Sequence, residues 1–434
     1  MIYFICRPFL MQIDLICSII VELKKIERLY WVEGKKMSEK KKNTQQIKEK
    51  KTLTIKQKVV RVILCILGVI ILIVGGFFGW LTVNEYRPAD VEEVTVDTTE
   101  GSGKKLTLGD SLSIATWNIG YGALGDNADF FMDGGTSVMT AIPERVDVNL
   151  AGLQGFLVGM NPDIIMLQEV DRDSKRSYNQ DEFTKIQGDL PLLTKDINSE
   201  DSDYNGYAAT FAYNFKAKYV PYPLNDNIGK VESGIGTLSK YSIDSAERIS
   251  LPCAYKWPIK TVNLKRCMLV SRIPVYDSEG NATGKELVCV NLHVEAYDDG
   301  EGKKAQTEQI RAFLQSEYDK GNYVIAGGDF NQTFSNVDTS AYPVHSEIPN
   351  VWTPGIIDVN DIGSDFQCLM DSTVPTCRSL DKAYNSVEDK SNFQYYVIDG
   401  FIVSNNVKVD EMNTQFTMFA PSDHNPVVLK ITLE

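Results

Sequence analysis

From Val62 to Val83 the chain runs for 22 residues without a charged side chain, in a stretch dominated by Ile, Leu, Val, Gly and Phe. As a helix this run would be about 33 Å long, against a hydrocarbon core of about 30 Å. A core helix of a soluble domain keeps a polar stripe for water, and this one has none. The segment 62–83 therefore predicts a single transmembrane helix. The lysine-rich residues Lys40–Arg61 before it predict a cytoplasmic N-terminus, because positive charge stays inside. Residues from 84 onward then lie outside the cell, in a single-pass protein of the cell membrane. No small-residue cleavage site follows clearly, so the helix reads as an uncleaved signal anchor.

The same landmark divides the rest. Residues 1–36 are apolar but broken by Arg7, Asp14 and Glu22, and they make a poor span. Met37 opens the polar run MSEKKKNTQQ, so 1–36 is expected to be a start-site extension, with a second membrane-associated segment as the alternative. Residues 37–61 are read as a basic cytoplasmic leader and the polar 84–109 as a tether. The body is 110–434. Residues 1–61 hold 15 of the 44 Lys+Arg and 6 of the 58 Asp+Glu, which leaves 29 against 52 for the remainder. Such an acidic body repels polyanions at long range, which argues against free non-specific nucleic-acid binding. Local groove charge or a bound divalent metal can reverse that sign. The eight cysteines include no CxxC and no Cys/His cluster. Five fall in the body, an odd number that argues against a fully paired disulfide framework and for buried free thiols.

Within the body, short apolar runs predict strands at Leu112–Ala115, Ile164–Leu167, Gly234–Leu238, Met268–Pro274, Glu286–Asn291, Tyr323–Ala326, Val397–Val403 and Val427–Ile431. Helical spacing predicts Val146–Met160 and Lys303–Tyr318. Strands with intervening helices and long connections point to one large α/β domain. Polar residues recur at the ends of these strands, in Ile114-Ala-Thr-Trp-Asn118-Ile-Gly120, Gln168-Glu169, Asn291-Leu-His293-Val-Glu295, Gly-Asp329-Phe-Asn331, Ile-Asp399-Gly and Ser422-Asp423-His424-Asn425-Pro426. Rigid strand ends suit convergent functional groups. Asp, Glu and Asn offer oxygen to a hard cation, and His and Asp move protons near neutral pH. Any one motif alone reads equally well as a turn or a strand end; the ordered set carries the argument. Of the three histidines, His293 and His424 fall in motifs, and His345 reads as a surface residue.

TWNIG, QE, NLHVE, GGDFN, IDGFIVS and SDHNPV resemble, in order, the motifs of the endonuclease/exonuclease/phosphatase superfamily with the deoxyribonuclease-I-like fold. The resemblance covers about 112–434. Tyr219-Val-Pro-Tyr-Pro and Glu232–Lys240 are similar to bacterial members with an extracellular catalytic domain. The resemblance implies an α/β (α+β) four-layer sandwich of two packed mixed β-sheets flanked by helices. It implies Mg²⁺, with Mn²⁺ or Ca²⁺ as alternatives, held by Glu169 with Asn118, and with Asp423 beside His424 reaching phosphate and metal. Asp329 then orients or deprotonates the attacking water, and Asn331 holds a phosphate oxygen. Asp399 orients His424, and Glu232 is the expected partner of His293. The two histidines share the role of charge stabiliser and acid.

Two readings compete. Two-metal calcineurin-like phosphatases also use Asp, Asn and His, but Phe-Asn follows Asp329 here and no GNHE exists. A catalytically silent binding module on the same fold would have lost site residues, and none is lost. The substrate stays open among nucleic acid, a lipid head group in a sphingomyelinase-like reaction, and a small phosphate ester. Phe211–Pro223, with Lys216 and Lys218, is a candidate aromatic loop for lipid, with ordinary packing as its alternative. No segment demands an obligate protein partner.

Overall fold

Residues Ile55–Val83 form helix α1, which begins seven residues before the uncharged run and takes in Lys56, Lys58 and Arg61. By length and composition it can cross a membrane. The computed structural model describes residues 53–98, 103–197, 206–298, 300–348 and 351–434. The expected extension 1–36 and most of the leader 37–61 lie outside the described residues.

Residues 84–434 form a separate unit. In chain order its main strands are β1 (Val91–Val94), β2 (Asp97–Thr98), β3 (Leu106–Thr107), β4 (Ser111–Asn118), β5 (Ile164–Asp171), β6 (Ala208–Val220), β7 (Gly229–Ser239) and β8 (Ser245–Ser250). They continue with β9 (Cys267–Tyr276), β10 (Ala282–His293), β11 (Tyr323–Asp329), β12 (Phe366–Leu369), β13 (Asp399–Ser404), β14 (Val407–Thr414) and β15 (Val427–Leu433). One sheet runs β1-β8-β9-β10-β11-β13-β12, with β3 on the end of β9. The other runs β14-β15-β4-β5-β7-β6-β2. Both are mixed, because β10–β11 and β4–β5 are parallel and most other pairs antiparallel.

Helices cover the outer faces. α2 (Pro143–Met160) and α3 (Glu182–Ile197) put Leu150, Leu153, Leu157, Phe183 and Ile186 against Trp117, Ile165 and Leu167 of the second sheet. α4 (Glu301–Asp319) puts Ile310 and Leu314 against Val288, Val290 and Val324 of the first. A third apolar cluster lies between the sheets, with Ile114, Met166 and Leu429 facing Leu287, Ile325 and Phe401. The order is helices, sheet, sheet, helices, as expected. Strands covered on both faces need unbroken apolar runs. Those were the runs visible in the sequence, and all eight expected strands and both helices are present.

Three segments differ from expectation. The tether 84–109 instead supplies β1, β2 and β3, which pair with β8, β6 and β9. An edge strand needs backbone pairing on one side only, so the polar Val-Glu-Glu-Val can serve. The aromatic stretch from Phe211 is β6, with Phe211 packed against Phe183 at 5.1 Å, and is no protruding loop. Helix α3 was not anticipated, since Gly188 and Pro191 interrupt its pattern. Cys267, Cys289, Cys368 and Cys377 are buried free thiols, as expected.

Polar contacts interrupt the hydrocarbon between the sheets: Thr210 Oγ1 of β6 meets Ser271 Oγ of β9 at 2.9 Å, and a larger amide cluster lies nearer the strand ends. Gln168 Nε2 of β5 donates to Asn291 Oδ1 of β10 at 2.8 Å. Asn291 Nδ2 donates to the Leu167 and Gly236 carbonyls at 3.1 and 2.8 Å. Both side chains are fully buried. Gln168 Nε2 keeps Thr116 Oγ1 and the Met166 carbonyl as partners, so Asn291→Ala would remove the amide's bonds to the Leu167 and Gly236 carbonyls in a dry interior, a loss of about 3 kcal/mol. Urea denaturation of the full chain in detergent should show it as a lowered midpoint. A loss below about 1 kcal/mol would mean that apolar packing alone holds the sheets.

Candidate active site

Strand register assembles the site. His293 ends β10, Asp329 ends β11 and Asp399 begins β13, and the three stand directly opposite one another across adjacent strands. In the other sheet Asn118 ends β4 opposite Gln168, the residue before Glu169. A bulge between Leu167 and Val170 turns Glu169 out of the pleat, at φ 52°. In the first sheet, β11 can lie this close to β10 because residue 328 is glycine; a Cβ there would lie 2.1 Å from the Leu292 carbonyl.

Side chains from the two sheets meet at Asp329. Its Oδ1 accepts the Asn331 backbone N–H at 2.8 Å. Its Oδ2 accepts from Asn118 Nδ2 at 3.0 Å and faces His293 Nε2 at 3.5 Å and His424 Nε2 at 3.9 Å. Asn118 Nδ2 also reaches Glu169 Oε1 at 3.3 Å, and Asn118 Oδ1 accepts the Gly120 N–H at 3.1 Å. That last bond fixes which end of the amide faces the carboxylates. Asn118 thus donates to Glu169 and Asp329 at once, and its Oδ1, which accepts the Gly120 N–H, keeps a second lone pair. His424 Nδ1 lies 2.9 Å from Asp399 Oδ2. The Trp117 indole donates to the His424 carbonyl at 2.9 Å, and Ser422 Oγ to the Asn118 carbonyl at 2.8 Å, so the 422–426 loop is tied to β4. Asn331, at φ 50°, donates its amide to the Val294 carbonyl at 3.0 Å.

Glu232 does not reach His293. It sits on β7 in the other sheet, opposite Lys216, and its carboxylate lies 3.4 Å from both Lys216 Nζ and Lys230 Nζ. His293 Nδ1 has no hydrogen-bond partner among the described residues. His345 lies outside the site, paired with Glu347.

Burial and charge separate the two histidines. Burial holds His293 well below its ordinary value, and the charges of Arg266, His424 and Arg176 add to the shift. Burial opposes charge on His424 as well, but the Asp399 carboxylate overrides it and holds the ring well above the ordinary range. Burial raises Asp329 to about 7, with Asp399 adding to the rise against His424 and the bonds from Asn118 and Asn331. Asp423 is pushed up to about 6 by burial, with Glu169 adding and His424 opposing. Glu169 is the open member, its side chain 26% exposed. These residues line a cleft of about 150 Å³.

A divalent cation suits this crowding. Buried carboxylates that resist ionising together are relieved by a cation, and oxygen donors fit a hard one. Glu169 and Asp423 would supply the oxygens. Two groups have ligand atoms close enough to share an ion, Asp329/Asp399/His424 and Cys377/Asp423/His424. Cys377 contributes little to the second, since burial pushes its thiol up to about 12. Residues outside every motif also line the cleft: Tyr121, Asp133, Arg176, Arg266, Tyr297 and Trp352. Tyr297 donates to Asp133 at 2.7 Å, joining the loop after β4 to the loop after β10. They sit in loops with no periodicity to expose them.

A model of the Endonuclease/Exonuclease/phosphatase family matches residues 115–356. No curated protein matches the chain. An endonuclease/exonuclease/phosphatase from Beutenbergia cavernae is similar in structure at TM-score 0.46, with 15% identity over 74% of this chain and 72% of that one. One from Bacteroides vulgatus gives 0.44, with 16% identity over 75% and 100%. A family protein from Leptotrichia buccalis gives 0.45, with 14% identity over 74% and 100%.

The raised carboxyls have a consequence for stability. Between the ordinary aspartate value of 3.8 and about 7, the folded chain holds protons that the unfolded chain has released. Without metal, these groups therefore make stability fall as pH rises through that window. A cation competes with those protons and stabilises more at higher pH. Mg²⁺ at a hundredfold excess over its Kd at pH 8 should stabilise by about 2.7 kcal/mol, seen as a raised melting temperature, and the same concentration should raise it less at pH 6. Glu169→Gln should abolish the shift. An equal shift in that variant would place the ion elsewhere.

Proposed function

The chain belongs to the endonuclease/exonuclease/phosphatase family, and on that premise we propose that it is a Mg²⁺-dependent phosphodiester hydrolase, anchored by α1 with its body outside the membrane. The observation that carries the reading is the meeting of Asn118 and Glu169 from one sheet with Asp329, His293 and Asp399 from the other around a single cleft. The orientation is inferred from the basic residues before α1.

The cation, when bound at Glu169 and Asp423, offsets charge on the phosphate and on the leaving oxygen. Asp329 accepts the proton of the attacking water through Oδ2. Its Oδ1 is tied to the Asn331 N–H, so Oδ2 keeps one direction. Asn331 has a second amide hydrogen for a phosphate oxygen. His424 is the charged histidine: Asp399 takes Nδ1–H and leaves Nε2–H to face the phosphate and protonate the leaving group. His293 is neutral and carries its hydrogen on Nε2, toward Asp329 and Glu169. The pairing with Asp399 is what assigns the acid to His424.

The Asp133–Tyr297 bond and the modest cleft favour a second reading of the substrate, a small phosphoester in place of an intact duplex. The acidic body points the same way.

With the full chain in detergent and Mg²⁺, hydrolysis of bis(p-nitrophenyl) phosphate should vanish in EDTA. Asp329→Ala and His424→Ala should each lower kcat/KM by about 10³-fold with folding intact. Near-normal turnover in both would sink the assignment. Nicking of supercoiled plasmid separates the substrates: diester hydrolysis without nicking excludes duplex DNA. The pH profile of kcat/KM should be bell-shaped, rising as Asp329 loses its proton and falling as His424 loses its own. Asp399→Asn removes a negative charge that raises both groups, so both limbs should move to lower pH.

A further inference from the structure

Two side chains of the cleft are held in ways that the proposed chemistry leaves unexplained. Asp171, the last residue of β5, is fully buried and accepts from Arg176 Nε at 3.0 Å, Arg176 Nη2 at 2.9 Å and Ser177 Oγ at 2.9 Å. Arg176 Nη2 also lies 3.3 Å from Ser233 Oγ. The guanidinium stacks 3.6 Å from the centre of the Tyr121 ring. Held along one edge and across one face, it cannot swing. Its remaining nitrogen, Nη1, carries two N–H donors without a hydrogen-bond partner among the described residues, and Arg176 lines the cleft. The charge lies close enough to Glu169 to interact with it.

Tyr121 is the second. Its φ is 42°, a left-handed conformation that a bulky residue rarely adopts. It is 2% exposed, and its hydroxyl is buried without a partner among the described residues. It lines the same cleft, within electrostatic reach of Glu169 and Asp423. Strain and an orphaned buried donor are both unfavourable, and strained residues cluster at ligand clamps. Neutralising Asp171 accounts for Nε and Nη2 of Arg176. It accounts for neither Nη1 nor the Tyr121 hydroxyl.

We propose that Arg176 Nη1 and the Tyr121 hydroxyl clamp a non-bridging oxygen of the substrate phosphate beside Glu169. The proposal rests on the phosphoesterase reading above and adds two substrate-binding residues to it. A guanidinium fixed in its plane directs its free N–H groups to one point, which a flexible lysine does not do. The phenol completes the pair from the other side of the stack.

The test uses the full chain in detergent with Mg²⁺, with inorganic phosphate as the binding probe and bis(p-nitrophenyl) phosphate as the substrate. Tyr121→Phe keeps the ring under the guanidinium and removes a hydroxyl that has no hydrogen-bond partner among the described residues. Its melting temperature should therefore hold or rise, while phosphate affinity by calorimetry and kcat/KM each fall about tenfold, the worth of one hydrogen bond. Arg176→Lys keeps a charge by Asp171 but loses the fork, and kcat/KM should fall about a hundredfold. Asp329→Ala should keep phosphate binding and lose hydrolysis. If the unmodified chain neither binds phosphate nor cleaves the diester, the phosphoesterase reading and the clamp fail together. If it does both and the Tyr121 and Arg176 variants match it, the clamp alone is wrong. A Tyr121→Phe chain that loses activity only in step with its melting temperature would overturn the clamp as well.

Discussion

Apolar contact has no direction, so two sheets packed through hydrocarbon could settle at several offsets with little difference in free energy. The Gln168–Asn291 amide pair removes that freedom. A buried amide must find its donors and acceptors; Gln168 also bonds Thr116 and Met166 of its own sheet, but Asn291 finds its partners in the facing sheet, at one relative position of β5 and β10. The residues that follow this pair along their strands are Glu169 and, two positions on, His293. A slip of one residue would move every side chain of a strand to its opposite face. The same contact therefore fixes the distance between Glu169 on one sheet and His293 and Asp329 on the other.

Within that frame, the site is built against local preference. Glu169, Asn331 and Tyr121 all have positive φ, and none is glycine. Asp329, Asp399 and Asp423 are buried, with Asp399's charge acting on Asp329 and Glu169's on Asp423. The scaffold beneath holds these arrangements, with β11 buried along its whole length between β10 and β13. Rigidity then separates chemically identical side chains. Two histidines at similar burial are shifted in opposite directions: burial, with Arg266, His424 and Arg176, lowers His293, while Asp399 behind His424 outweighs its burial and raises it.

What could be read beforehand follows from the same physics. Asn118, Glu169, His293, Asp329, Asp399 and His424 each interrupt or end an apolar run, and that break is visible in one dimension. The edge strands β1, β2 and β3 were hidden because pairing on one side imposes no pattern. Glu232 was misplaced because adjacency to a strand does not tell which of two sheets the strand joins. Asn118 was found at the right place, while the bond its Oδ1 accepts from the Gly120 N–H has no signal in the sequence. Arg176 and Tyr121 had only faint signals: an arginine five residues after Asp171, and an aromatic residue after the first glycine of TWNIG. Nothing in that spacing says the two stack.

The carboxylates also set the order in which the site becomes competent. Without a cation, burial raises Asp329 to about 7 and Asp423 to about 6, with Asp399 adding to the first and Glu169 to the second. A protonated Asp329 cannot act as a base. A cation held as proposed at Glu169 and Asp423 would lower the potential at these oxygens and release the protons. Metal binding and base activation would then be one event. The amide of Asn118 touches Glu169 and Asp329 at once, and so would keep a ligand of the proposed ion and the proposed base at a fixed separation.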